Sequence, residues 1–412
     1  MSRARPPEVA RTAARQGEGT PVNMHIGIAG AGLLGRLLGW RLARAGHRVD
    51  LFDPAVNEQP VPRSQAGEPY VPTAAGFTAA GMLSPLSELD NAEPAVAALG
   101  WRSLALWPQI VAALPGTPQV TVGGSLLLAH RPDLGTAQRV LERMRAAMDT
   151  PAWQRASPPE EVLALDAAAL RDLEPSIQGP AHAWLLPGEG FIDTVATMQA
   201  LHAGASAQGA QWHWGARALA VAAGEGGGTL RLADGRVLAF DAVVDVRGVG
   251  AKEPAPTPTL PQRGREQAHP QAKEGVEHVR GVRGEVIWLD CPGHGLTRPV
   301  RLLHPRHRVY IVPRSARDVL VGASEIESED RSPVSLRSAV ELMAAAHSVL
   351  PLLSEARILR LDVNLRPALP DNNPRVEHGA RCLRINGLFR HGWLLAPALV
   401  EQALRDNGWA AS

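Results

Sequence analysis

The chain has 412 residues, a prior of two to three domains at about 150 residues each, and its 45% apolar content excludes a disordered or collagen-like chain. Lys+Arg number 42 against 41 Asp+Glu, a formal charge of +1, so no global cationic field stands ready for a nucleic-acid backbone. Lys252 and Lys273 are the only lysines, which leaves cationic work to arginine, and Cys291 and Cys382 are too few for a disulfide scaffold or a four-thiolate metal site.

Residues 1–23 carry Arg3, Arg5, Arg11 and Arg15 but no apolar h-region, so they read as a disordered leader, or as an upstream start with Met24 the true one. From Met24 a strand, His25 to Ala29, runs into Gly30-Ala-Gly32-Leu33-Leu34-Gly35, then a helix to Ala45 stopped by Gly46. A second strand, Arg48 to Asp53, follows at once. In this fingerprint Gly30 permits a tight turn, Gly32 admits a pyrophosphate to the backbone, and Gly35 lets helix and strand pack closely. Asp53, 23 positions after Gly30, stands where an acid accepts from ribose hydroxyls. The fingerprint leaves FAD and NAD both open.

From Asn91 to Pro187 helical stretches (Gln138 to Met148, Ala167 to Leu173) mix with strand-like runs such as Gly124 to His130, the pattern of a separate α+β lobe. Strand patterns return at Leu230 to Leu232 and at Val237 to Val246, the latter ending in Arg247-Gly248 as a strand returning to the first sheet would. Between Lys252 and Glu277 a proline-rich, then polar, non-periodic run reads as an inserted disordered loop. Beyond it, Gly284 to Leu289, Val309 to Val312, Ile358 to Asn364 and Leu383 to Asn386 are predicted strands, and Ser335 to Leu350 and Ala396 to Asn407 predicted helices. The predicted fold is α/β, with a discontinuous Rossmann-like dinucleotide domain (24–90, 188–251, 361–412). An α+β substrate domain on a mixed sheet takes 91–187 and 278–360, and 252–277 form the insertion.

Arg366 stands where the Ile358 to Asn364 strand ends against Pro367, a place from which a guanidinium can clamp a carboxylate bidentately. Arg390 precedes a glycine turn feeding the last helix, which can present N–H groups to an anion. His391 beside it invites a general-base role, but a lone histidine at an apolar turn is more often structural, and no base is assigned. The histidines show no paired ligand spacing, so no metal is expected. Tyr310, one of two tyrosines, lies in a strand, with core packing and a site role both open.

Five ordered blocks resemble the FAD-dependent D-amino-acid oxidase superfamily, and within it the glycine oxidase branch that feeds thiamine biosynthesis. They are Gly30 to Gly35 with Asp53; Ala79-Ala-Gly-Met-Leu-Ser-Pro85 with Glu88; Tyr310-Ile-Val-Pro-Arg314 leading to Val321-Gly-Ala-Ser-Glu325; Leu365 to Asp371; and Phe389 to Pro397. The resemblance implies bound FAD, with Gly30, Gly32, Leu33, Leu34, Gly35, Asp53, Pro54, Ala218 and Gly248 along its nucleotide part. Ala80, Gly81 and Met82 would lie along the isoalloxazine ring, and Leu388, Phe389, Arg390, His391, Gly392, Trp393 and Leu394 at its pyrimidine edge. Arg366 and Arg390 would hold a substrate carboxylate, and Tyr310 and Met82 would line the pocket.

The implied activity is oxidation of glycine or another small amino acid to an imine, then a 2-oxo acid and ammonia, or delivery of the imine to a thiazole-forming partner. Oxygen is the implied acceptor, with peroxide as its product; the two cysteines make a reducing cytoplasm the default location. A D-amino-acid or N-methyl amino-acid oxidase or dehydrogenase of the same fold is the runner-up, and a non-catalytic flavoprotein the third reading. Three features depart from the pattern: Thr73-Ala-Ala-Gly-Phe-Thr78 is poor in hydroxyls, Arg247-Gly248 replaces an Ala-Thr-Gly-like strand end, and the insertion is foreign to the family.

Overall fold

The computed structural model describes residues 23–60, 73–89, 92–154, 161–224, 226–252, 279–304, 308–379 and 381–409. The expected leader, apart from Asn23, and the expected insertion beyond Lys252 lie outside these residues.

The βαβ opening forms as the glycine spacing requires. Strand His25–Ala29 pairs in parallel with Arg48–Asp53, and helix Leu33–Arg44 bridges them. The helix turns Leu34, Leu37, Leu38 and Leu42 into the core, at a burial worth roughly 1.5–3 kcal/mol per leucine. Gln211–Trp214 joins one side of this pair and Ala242–Asp245 then Cys382–Asn386 the other, all parallel, with Arg375–Gly379 closing the edge antiparallel. The sheet is thus assembled from three separated chain segments, and its strands end together beside Gly30, Asp53 and Val246.

The predicted strand Val237 to Val246 is in fact two. Val237–Phe240 pairs antiparallel with Gly227–Leu232 in a separate three-stranded sheet, and only Ala242–Asp245 returns to the parallel one. The break at Asp241 has a physical cause: its backbone N–H donates to the His25 carbonyl and its carboxylate accepts from the His25 N–H at 2.7 Å.

The second sheet holds eight described strands in the order Arg357–Ala368, Arg280–Asp290, Asp318–Gly322, Arg308–Pro313, Val300–Leu303, Ser125–Ala129, His182–Leu186 and Leu163–Leu165. Only Val300–Leu303 and Ser125–Ala129 run parallel, so it is mixed, as expected. Arg357–Ala368 pairs along its whole length with Arg280–Asp290. Residues 361–368, grouped from sequence with the first domain, therefore belong to the second sheet. Pro367 is tolerated because this is the edge strand, where a missing N–H costs no ladder bond.

Helix Pro94–Ala112, grouped from sequence with the second domain, packs on the C-terminal helix Gly392–Asp406. Trp107 is fully buried there and donates to the Trp393 carbonyl at 2.9 Å, and Ser103 Oγ accepts from the Ala398 N–H. No helix of the described residues is long and apolar enough to cross a membrane, and none of their His, Cys, Asp and Glu side chains cluster as a metal site.

Candidate active site

One cavity of about 580 Å³ runs between the two sheets, from Gly30 and Asp53 at one end to Arg366 and Arg390 at the other. Its shape follows from the chain's turns. Gly30 sits at φ +103°, where a side chain would be strained, and a Cβ there would meet the Val246 carbonyl oxygen at 2.7 Å. Gly35 does not line the cavity; a Cβ on it would come within 1.9 Å of the Gly30 oxygen, so it closes helix onto strand. Gly32, the residue before the helix, has open space where its Cβ would be, with only the Ala74 side chain at 3.7 Å.

Asp53 Oδ2 accepts from the Ala31 N–H at 2.7 Å and Oδ1 from the Ala55 N–H at 2.9 Å. These bonds fix the carboxylate at the strand end and leave lone pairs for hydroxyl donors. Leu33, Leu34, Pro54, Ala218 and Gly248 line the same end. Arg247, the departure noted in the sequence, forks onto Asp245 at 2.8 and 2.6 Å and donates to the Ala218 and Leu219 carbonyls. It ties the strand end to the neighbouring sheet, a role its sequence context did not reveal.

In the middle, Ala80, Gly81 and Met82 form one wall. Gly81 adopts φ +67° and lies against the backbone of Ile192, whose N–H donates to the Gly81 carbonyl at 2.9 Å. Arg314, partly buried, donates to the carbonyls of Ala79, Ala80 and Ile192. Burial lowers its pKa to about 10, so it stays charged at neutral pH. On the opposite wall the last helix begins at Gly392, four residues earlier than predicted. Phe389 sits at φ +49°, with its N–H held by the Pro367 carbonyl at 2.8 Å, and the His391 N–H closes onto Leu388. This turn aims the first helical amides, those of Gly392, Trp393 and Leu394, which have no intrahelical acceptor, at the cavity.

At the far end Arg366 lies inside strand Arg357–Ala368, opposite Val282, rather than at a strand end as predicted. Its Nη1 donates to the Ser324 carbonyl at 3.0 Å, and its guanidinium occupies the space a Cβ on Gly284 would take. Tyr310 is backed by Gly322 across the ladder, and burial raises its phenol pKa against the opposing charges of Arg366, Arg314 and Arg301. Met82 lies in the apolar cluster beside it.

Arg390 is placed differently from the expected clamp. Its Nη2 lies 2.8 Å from Glu88 Oε2 and its Nη1 lies 3.6 Å from Glu325. His391 Nδ1 is 3.2 Å from the same Glu88 oxygen, and Arg301 Nη2 is 3.7 Å from the other. Burial alone would raise the Glu88 carboxyl, but the surrounding charges, Arg390 first, hold it down to about 2. His391 is pushed down to about 4 by burial, so it is neutral at working pH.

Arg301 and Arg308 line the cavity without having been singled out, and Glu88, Glu325 and Asn364 were quoted without a role. One available signal was the antiparallel register that sets Arg301 opposite Tyr310, and it exists only once the strands are paired.

Arg390 Nε and Nη1 and Ser324 Oγ are buried without a hydrogen-bond partner among the described residues. An elongated cavity with a glycine turn and ribose-type acid at one end, free helix amides midway and unpartnered donors beyond suits a flavin dinucleotide with a small anionic substrate. A match to the family described as FAD dependent oxidoreductase spans residues 25–402. The chain belongs to the FAD-dependent oxidoreductase family.

Among relatives of this oxidoreductase, a thiamine biosynthesis oxidoreductase, ThiO, of Rhizobium etli is 36% identical over 93% of this chain and 96% of its own. A bifunctional ThiO/ThiG protein of Trichormus variabilis is 23% identical over 79% of this chain and 46% of its own. The crystal structure of glycine oxidase from Geobacillus kaustophilus superposes with a TM-score of 0.73 at 24% identity, covering 94% of this chain and 95% of that one. The cofactor of this oxidoreductase is FAD, as the resemblance implied.

Proposed function

We propose that this oxidoreductase acts on glycine or another small amino acid, taking it to the imine, which hydrolyses to the 2-oxo acid and ammonia or passes to a thiazole-forming partner. The observation that carries the reading is Arg366, a guanidinium facing the same cavity as the cofactor cradle, with Tyr310 beside it. The Rhizobium relative's name supports the thiamine assignment, and the ThiO/ThiG fusion supports a partner that consumes the product directly.

In this mechanism the residues named for the cofactor hold FAD, which when bound accepts the two electrons lost by the amine. The chain's own work is placement. Arg366 takes the substrate carboxylate, Tyr310 and Met82 close the pocket around the α-carbon, and Arg314 holds the Ala79 and Ala80 backbone that forms one wall. No residue is assigned to remove the α-proton as a base. Oxygen is the proposed acceptor and a cytoplasmic, reducing setting the proposed location.

The test is an amino-acid panel read by anaerobic bleaching of the flavin. Glycine and its N-methyl derivative should bleach it, and D-amino acids with bulky side chains should do so more slowly. Bleaching by bulky D-amino acids alone would replace the substrate assignment.

A further inference from the structure

Beyond the Gly392 amides the cavity wall carries an interlocked set of charges. Glu88 Oε2 lies 2.8 Å from Arg390 Nη2, and Glu88 Oε1 lies 3.7 Å from Arg301 Nη2. Glu325 Oε2 lies 3.2 Å from Arg308 Nη1 and 3.6 Å from Arg390 Nη1. Three arginines against two glutamates leave one positive charge over, and Arg331 and Arg366 line the same cavity, so its walls are net cationic here. His391 adds nothing to the count, because burial keeps it neutral.

The cofactor decides what this charge acts on. With the Gly30 turn and Asp53 at the nucleotide end, the ring of FAD is directed toward the other end, which Glu88, Arg301, Arg308 and Arg390 line. On full reduction to its anionic form the ring takes up two electrons and one proton, so it gains one negative charge. Cations around it favour that change, and carboxylates oppose it.

We propose that Glu88 sets the redox potential of the bound flavin, holding it below the value that the surrounding arginines alone would give. This rests on the FAD cofactor and not on which amine is oxidised. Of the two glutamates Glu88 has the stronger hold, since its side chain is 14% exposed against 42% for Glu325 and is less screened by water. A flavin that holds its electrons less tightly passes them on more readily, so the carboxylate moves driving force from reduction by substrate to reoxidation by the acceptor.

Glu88 is built to stay charged and in place. Arg390 and its neighbours keep its carboxyl down at about 2. It ends the short helix Pro85–Glu88, whose Ser87 N–H and hydroxyl both donate to the fully buried Glu189, at 2.8 and 3.0 Å. Ser125 also donates to Glu189, and Arg301 donates to the Ser87 carbonyl at 2.7 Å. The carboxylate therefore projects from a pinned turn.

The experiment is anaerobic redox titration of the FAD-loaded protein against a reference dye, for wild type, Glu88→Gln, Glu88→Asp, Glu325→Gln and Arg308→Gln. In Glu88→Gln the ratio of reduced to oxidised flavin at a fixed dye potential should rise about tenfold, an upward shift of about 30 mV for a two-electron couple. Glu325→Gln should move it the same way by less, and Arg308→Gln should move it the opposite way. Glu88→Asp, which keeps the charge, should stay near wild type. Loosened packing alone would not reverse sign with the sign of the deleted charge. An unchanged potential in a folded, yellow Glu88→Gln protein overturns the proposal, as does an Asp variant shifted as far as the Gln variant. Should Glu88→Gln fail to fold, shifts in the same direction for Glu325→Gln and Arg308→Gln overturn it alone.

Discussion

At Arg366 one guanidinium nitrogen is committed to the Ser324 carbonyl at 3.0 Å, while the group as a whole lines the cavity beside Tyr310. Arg366→Ala deletes a charge-assisted contact of about 1.5–3 kcal/mol, so kcat/KM should fall roughly 10- to 150-fold with flavin content unchanged; steady-state kinetics on a fully flavinylated variant checks it. His391 carries a second prediction. Its folded pKa of about 4 lies below the free value of 6.5, so the unfolded chain binds the extra proton between those values. Stability is thus full above about pH 6.5 and lost as pH falls toward 4; melting temperatures across that window should drop less in His391→Asn. Lys252 bonds Glu329 at 2.6 Å at the surface, away from the cavity lining, so Lys252→Met should leave oxygen reoxidation of the reduced flavin unchanged by stopped flow. Single residues were legible from sequence where the chain itself fixes their setting, as with Gly30 and Asp53. Glu88 and Arg301 were not, because what defines them is a charge brought across from a distant strand.

Among the elements, the glycine fingerprint separates two demands that the sequence motif merges. Gly35→Ala drives a Cβ into the Gly30 carbonyl oxygen, so the opening helix must shift and the variant should express poorly and melt lower. Gly32→Ala has room in the protein alone, so it should fold normally yet lose FAD affinity, the backbone approach to the pyrophosphate being what it blocks. Equilibrium dialysis with FAD beside thermal melts tells the two apart, and equal behaviour would sink the distinction. The outline of strands and helices followed from hydrophobic period and turn residues. Their ends did not. The last helix starts at Gly392 because the turn before it is pinned by the Phe389 N–H on the Pro367 carbonyl, and the Arg357–Ala368 strand runs past Pro367 because it is an edge. Both depend on a neighbour far away in sequence.

Across the whole molecule, the cofactor end of the cavity draws on the first sheet and the substrate end on the second. A ligand bound only by the folded state at about 100 times its Kd stabilises by about 2.7 kcal/mol. Adding FAD to the stripped protein should therefore raise the melting temperature by several degrees in a concentration-dependent way, and a concentration-independent Tm would contradict binding of FAD to the folded state. The two-sheet division was readable in the alternation of strand and helix patterns, but the strand Arg357–Ala368 and the helix Pro94–Ala112 crossed it, since pairing and packing partners leave no local mark. Arg314, one residue past the Arg308–Pro313 strand, reaches out of the second sheet. It grips backbone carbonyls of Ala79, Ala80 and Ile192, never their side chains. Evolutionary drift in the wall's side chains therefore leaves the grip intact, whereas even a lysine in place of Arg314 would lose the fork that spans three acceptors. The pocket can diversify its chemistry by exchanging what it displays while one arginine keeps the backbone of that wall in place.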